Sequence, residues 1–265
     1  MQYLSSSRWR CAWRVGAALV VSLTAAACGA SRSAVPSDGA QPDRFLFDRG
    51  QESMKEEEWV NAREYFRQVV DNYPQSSFRP DSKLGVGDSY LGEGSAESLV
   101  LAAQEFREFL TFYPTNPRAD YAQYKLAMSH YEQMRAPERD QTETREALKE
   151  FDVFFQRFPN SPLAPEVKQR WREARDRFSQ ASYLVGLHYY RVRWYPGAID
   201  RFREVLRDDP GFSGRDRIYF YLADSLARTD KKAEAIPYFE RLLAEFPKSE
   251  HRDDTLERLG TLKTQ

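Results

Sequence analysis

Ala198-Ile-Asp-Arg-Phe202-Arg-Glu-Val-Leu-Arg-Asp-Asp-Pro210 sets the frame for the whole chain, because its Ala, Phe and Pro recur at the same spacing elsewhere. Ala62, Ala102, Ala147 and Ala235 are likewise followed four residues later by Phe66, Phe106, Phe151 and Phe239, and eight residues after that by Pro74, Pro114, Pro159 and Pro247. Residues four apart lie on one helix face, so the small Ala lets a neighbouring helix approach while the Phe ring fills the gap. Proline then stops the helix two turns on, since it supplies no N–H and disfavours helix in the residue before it. Any helical bundle holds Ala and Phe at helical spacing, but five copies with one proline offset make an internal repeat. These anchors report a scaffold and are not a ligand site.

The prolines are 40, 45, 51 and 37 residues apart, which brackets the helix-turn-helix period of tetratricopeptide repeats once insertions are allowed for. The first helix of such a unit carries a small residue twelve positions before the Ala, and Gly50, Gly186 and Ala223 stand there. In copy two Gly87 lies three residues further upstream, consistent with the turn Gly92-Glu93-Gly94-Ser95; in copy three Ala127 lies eight further, consistent with the polar loop from Arg135 to Thr144. The reading is an all-α tetratricopeptide-repeat solenoid of five helix pairs plus a C-terminal capping helix. Pairs are expected at 44–57 with 59–72, 79–92 with 98–112, 117–134 with 142–157, 163–193 with 195–208 and 215–228 with 231–245, and the cap at 249–262. The unbroken run 163–193 is expected to be one long helix joining an N-terminal half, 44–160 with repeats one to three, to a C-terminal half, 161–265 with repeats four and five and the cap.

With 41% hydrophobic, 30% charged and 14% aromatic residues the chain is globular. No alternating Val/Ile/Thr pattern of useful length suggests a strand. Basic and acidic residues are interleaved without a basic excess, so nucleic acid is not an expected partner. His130, His188 and His251 are scattered singly, and no Cys pair or His-Glu-x2-His offers a metal site. His130 and His188, close to apolar anchors, read as packed or hydrogen-bonded. Gly85-x-Gly87 follows no strand and reads as helix-packing glycine. Acidic pairs such as Asp208-Asp209 and Asp253-Asp254 read as helix ends or solvated faces. No catalytic residue and no cofactor is expected; the reading is not an enzyme.

Residues 1–27 differ from the rest: Arg8, Arg10 and Arg14 precede an apolar run from Val15 to Ala27 that ends in Ala25-Ala26-Ala27-Cys28-Gly29. A charged start, a short apolar stretch and small residues before a cleavage point make a secretory signal, too short for a comfortable membrane span. Cys28 after these small residues resembles a bacterial lipobox, with Ala25 where Leu is usual; the alternative is an ordinary signal peptide cleaved nearby. The lipobox reading makes Cys28 the lipid attachment site, carrying diacylglycerol and an N-acyl chain. Removing residues 1–27 takes three of the 39 basic residues and none of the 40 acidic ones, leaving a net charge of −4. It also removes Cys11, so Cys28 is then the only cysteine and no intramolecular disulfide can form. Residues 28–43, rich in Ser, Ala, Pro, Gly and Asp, read as a flexible tether.

Three stretches carry a family resemblance: Arg139-Asp140-Gln141-Thr142-x2-Arg145-x-Ala147, Phe151-x2-Phe154-x3-Phe158-Pro159-Asn160-Ser161, and Gly186-x2-Tyr189-Tyr190-x4-Tyr195-x2-Ala198-Ile199-x-Arg201-Phe202. Over about residues 44–262 the chain resembles the BamD family of outer-membrane protein assembly lipoproteins. It departs in carrying Asp209 where an aromatic usually precedes the Pro, and in a longer loop at 92–98. The resemblance implies a lipoprotein on the periplasmic face of the outer membrane, whose C-terminal half grips the barrel-inserting subunit BamA and other assembly-machine subunits. Its N-terminal half would receive unfolded outer-membrane proteins. It further implies that Arg201 reaches the inserting subunit, with Arg191 and Arg193 candidates for the same surface; an exposed Arg201 paired with Glu204 or Asp200 is the plain alternative. Stacked helix pairs make a groove for an extended peptide, and Tyr90, Tyr121, Tyr124 and Tyr131 are its candidate lining, although Tyr90 also sits at a repeat anchor. A periplasmic adaptor for cell-envelope or division complexes is the competing reading. An enzyme using the repeats as an adaptor would need a further domain.

Overall fold

The computed structural model describes residues 41–264. The leader at 1–27, Cys28 and the tether as far as residue 40 lie outside the described residues. Within them the chain forms eleven helices and no strand. They pair as α1 (Pro42–Lys55) with α2 (Trp59–Asn72), α3 (Arg79–Glu93) with α4 (Ala96–Phe112), and α5 (Ala119–Tyr131) with α6 (Thr142–Arg157). Then come α7 (Ala164–Arg191) with α8 (Tyr195–Asp208), α9 (Arg215–Arg228) with α10 (Lys232–Glu245), and the cap α11 (Arg252–Thr264). Each helix packs on the next, and first helices also touch across repeats, α1 on α3, α3 on α5, α7 on α9 and α9 on α11.

Every Ala and Phe of the repeat is fully buried. The twelve-residue offset has a steric cause: a Cβ added to Gly50 would lie 2.6 Å from the Phe66 ring, and one on Gly186 would lie 2.7 Å from the Phe202 ring. Gly85, from the next repeat, closes on the other side of Phe66 at the same 2.6 Å. Phe66 and Phe106 anchor the core of the first two repeats, Phe151 and Phe154 that of the third with the start of α7, and Phe202 and Phe239 that of the last two.

The residue before each repeat proline (Tyr73, Tyr113, Phe158, Asp209, Phe246) leaves the helix with φ between −128° and −138° and ψ between 51° and 78°, outside the helical region that a following proline disfavours. In three of the turns a serine then ties second helix to first. Ser76, Ser161 and Ser249 donate to Asp43, Asp120 and Asp216 at 2.6, 2.6 and 2.7 Å, while each Oγ accepts an N–H two residues on.

Outside α2, α6, α8 and α9 the expected boundaries move by one to three residues. Pro42 opens α1, two residues inside the expected tether, because proline at the first helical turn needs no N–H and has its φ preset. Helix α5 ends at Tyr131 rather than 134, where short-range bonds from Gln133 to His130 and from Met134 to Tyr131 tighten the chain. The cap starts at Arg252, because Ser249 and the residues after it form the turn. The loop that follows α5 is held by Gln141. Its Nε2 donates to the carbonyls of Ala136 and Arg139 at 2.9 and 3.0 Å, and its Oε1 accepts from Thr144 at 2.9 Å. The Asp-Gln-Thr stretch is therefore a loop fastener.

Candidate functional site

The four candidate tyrosines fall on first helices, but the structure uses them differently. Tyr90 on α3 is buried; its hydroxyl accepts from Arg67 at 2.8 Å, and the Arg63 guanidinium lies 4.0 Å from the ring centroid. It is apart from the other three and faces α2. Tyr121 on α5 is half-buried and donates to both carboxylate oxygens of Asp88 at 2.9 Å, with Arg118 over its ring at 4.6 Å. Burial raises the Asp88 carboxyl above its ordinary value against the opposing pull of Lys125 and the Tyr121 bond.

Tyr124 and Tyr131, two turns apart on α5, meet Glu166 and Glu173, two turns apart on α7. The hydroxyls donate at 2.7 and 2.5 Å. This double contact registers the third repeat against the long helix, and Arg170 sits between the two, pairing Glu173 at 3.2 Å. Burial first, then the facing glutamate, pushes both hydroxyls above the ordinary tyrosine value. Tyr90 and Tyr124 are buried, while Tyr121 and Tyr131 are half-buried, with Arg118 and Lys125 over the first ring and Phe151 and Arg170 against the second.

On the C-terminal side Arg201 donates to Glu204 at 2.6 Å, both side chains lying open at 47% and 41% exposure. The side chains of Arg191 and Arg193 are exposed and form no hydrogen bond or ion pair with a described residue, while the Arg191 charge acts on the Tyr183 and Tyr221 hydroxyls. Arg193 has φ of 62° and turns the chain from α7 into α8. The paired tyrosines ahead of this turn divide their roles. Tyr189 packs edge-on against Trp194 with centroids 4.7 Å apart, and Tyr190 donates to Asp224 at 2.7 Å, burial pushing its hydroxyl up to about 12.

Asp209 stands at the end of α8, where the reading of Asp208-Asp209 as a helix end puts it, but it is not solvated. Its side chain is 4% exposed and held by three donors from α7: Arg172 Nη1 at 2.9 Å, Arg172 Nη2 at 2.5 Å and Ser179 Oγ at 2.5 Å. Burial alone would raise this carboxyl; the Arg172 and Ser179 bonds outweigh it and hold it below the ordinary value. Among the histidines, His130 bonds Glu143 through Nδ1 at 2.8 Å and His251 stacks on Phe220 at 4.5 Å, whereas His188 is exposed, with the Tyr189 ring 6.0 Å away. Among the described residues no three His, Cys, Asp or Glu side chains converge to hold a metal ion, and no helix is long and apolar enough to cross a membrane.

Stacked helix pairs with their anchors buried and their charged and aromatic side chains displayed along first helices define a tetratricopeptide scaffold protein. Residues 39–217 match the family model of the YfiO outer membrane lipoproteins, and residues 218–249 a tetratricopeptide-repeat model. The chain belongs to the YfiO outer membrane lipoprotein family. It is similar to the outer membrane protein assembly factor BamD of Caulobacter vibrioides, 27% identical over 222 residues that cover 83% of this chain and 72% of that one. The same factor of Vibrio cholerae is 23% identical over 193 residues, covering 69% of this chain and 78% of the relative. For the factor of Xylella fastidiosa, 23% identical over 184 residues, the match covers 66% of this chain and 62% of the relative, less than two thirds of that protein's length. Among solved structures, the TPR2AB domain of yeast Sti1 in its pHSP90 complex aligns with a TM-score of 0.47 at 11% identity, covering 84% of this chain and 83% of that one.

Proposed function

We propose that the chain is a lipid-anchored scaffold on the periplasmic face of the outer membrane, working in the machinery that inserts β-barrel proteins there. The observation that carries this reading is the family match over residues 39–217; relatives named as outer membrane protein assembly factors support it. The Ala-Ala-Ala-Cys-Gly junction supports the anchor, with diacylglycerol and an N-acyl chain on Cys28. Several acyl chains are needed for stable attachment, because one alone binds membranes marginally.

In this reading the C-terminal half binds a BamA-like barrel insertase through the surface that carries Arg191, Arg193 and Arg201, and other assembly-machine subunits join the complex. The N-terminal half receives unfolded outer-membrane proteins as extended chains across α3 and α5, where Tyr121 and Tyr131 supply rigid amphipathic surface at small entropic cost. The chain's own residues bind and orient; no bond is made or broken. Depletion of the protein in cells tests the reading. Folded, heat-modifiable barrel proteins should disappear from the outer membrane while their unfolded precursors accumulate in the periplasm. Barrel levels that stay normal while septation or wall synthesis fails would instead favour an envelope or division adaptor.

A further inference from the structure

We infer that the turn from α7 to α8 is the main anchor for the protein partner of the C-terminal half, and that its occupant is a segment pairing an apolar residue with carboxylates. This rests on the scaffold reading above and says where, and by what chemistry, that scaffold is gripped. Three of the seven large apolar side chains that stand open among the described residues gather here: Val185, Val192 and Trp194, at 42%, 58% and 54% exposure. Val185, Tyr189 and Val192 follow one another at four and three residues, so they form a single stripe along the end of α7. Trp194 extends the stripe, its ring fixed edge-on against Tyr189 and seated on Gly197, where an added Cβ would lie 2.5 Å from the indole.

The repeat itself shows that the scaffold does not require these residues. Repeats one and five share the spacing of repeat four. At the position of Trp194 they carry Glu58 and Lys231, and at that of Val192 they carry Glu56 and Thr229. A helix turn that works with polar residues twice carries a valine and a tryptophan in the open only once. Clustered open apolar surface of this kind marks interaction sites, and Trp, Tyr and Arg are the residues that dominate binding energy at them.

Charge names the occupant. Arg191 and Arg193 are exposed on either side of Val192 in the chain, and their side chains form no hydrogen bond or ion pair with a described residue, whereas Arg201 is already paired with Glu204. Two exposed guanidinium groups in the turn that also carries a fixed, open indole suit a protein segment with carboxylates next to an aliphatic or aromatic side chain. An anionic lipid surface fits less well, because the chain without its leader carries a net charge of −4.

The test uses the intact lipoprotein in detergent and, as probe, the purified periplasmic region of the barrel insertase, together with photo-crosslinkers placed in cells at Val192 and, separately, at Arg201. Trp194→Ala should weaken binding about thirtyfold, in the range of a hot-spot residue. Arg191→Glu with Arg193→Glu should weaken it about tenfold, and the wild-type affinity should fall as salt rises. Val192→Glu, at a site open to solvent, should also weaken binding without altering the melt, which covers the case that losing the Trp194 ring loosens the turn. The Val192 crosslinker should capture the insertase. Wild-type affinity in all three variants, or Val192 crosslinks only to lipid or to a different subunit while the Arg201 position still captures the insertase, overturns the inference and leaves the scaffold reading standing. No binding by the wild-type protein and no insertase crosslink from either position overturns both.

Discussion

Asp209 and Arg172 meet in a two-pronged contact, Nη1 to Oδ1 at 2.9 Å and Nη2 to Oδ2 at 2.5 Å, at the place where the other four repeats put Tyr73, Tyr113, Phe158 and Phe246. The aromatic plug of the repeat turn is thus replaced in repeat four by a charge clamp onto the long helix α7. Asp209→Ala removes the acceptor of both Arg172 bonds and of the Ser179 bond and leaves Arg172 with Asp176 as its remaining ion-pair partner, so it should cost roughly 2 kcal/mol of stability. Arg172→Leu combined with Asp209→Phe, which restores the ring of the other repeats, should return to within about 1 kcal/mol of wild type. Urea melts of the two variants check this; a double variant as unstable as the single one would contradict it.

The same carboxyl sets an acid limit. Its folded value lies below the ordinary one, so its stabilising contribution is complete above the unfolded Asp value of about 3.9 and is lost as pH falls through the lower folded value. Asp88 works in the opposite sense: its raised value means that ionisation costs stability at neutral pH and acidification relieves that cost. Stability measured against pH should therefore lose part of its low-pH slope in Asp209→Asn. At pH 7 Asp88→Asn should match or exceed the wild type.

Tyr124 and Glu166 form one half of the α5–α7 registration, at 2.7 Å. Tyr124→Phe keeps the ring and deletes the donor, so it should cost about 1 kcal/mol. A double-mutant cycle with Glu166→Gln should return a coupling energy of about the same size. Additive losses would show that the contact contributes nothing of its own.

Arg201 is open and paired only with its helix neighbour Glu204. Arg201→Ala should thus leave the helical melt within about 0.5 kcal/mol of wild type. Under the proposed function it should still weaken copurification with the barrel insertase, since a partner carboxylate can take the place of Glu204. Unaltered copurification at low protein concentration would remove Arg201 from the interface.

Cys28→Ser should release the protein from membranes to the soluble periplasm. Under the proposed function Gly29, where the usual sorting pattern for inner-membrane retention has Asp, should send the wild type outward. Fractionation in which the serine variant stays membrane-bound at high salt would count against the anchor.

The scaffold was legible because its determinants are local. Ala, Phe and Pro at fixed offsets lie within one helix and its turn, and α2, α6, α8 and α9 begin and end where spacing places them. What stayed hidden depends on partners far along the chain. Asp209 looks like a solvated helix end until Arg172, 37 residues earlier, is brought beside it. The roles of Tyr124 and Tyr131 require the register of α5 against α7, which no periodicity supplies. Trp194 could have been found by comparing the repeats with one another, since Glu58 and Lys231 at its position show what the turn alone demands.

The central claim, that this chain is a working part of the outer-membrane barrel assembly machinery, is tested most directly by affinity purification of the intact tagged lipoprotein from detergent-solubilised outer membranes, with its partners quantified by mass. The account predicts a barrel insertase recovered in about one-to-one ratio with the chain. Stoichiometric recovery of septal or peptidoglycan-linked proteins with no insertase would contradict it.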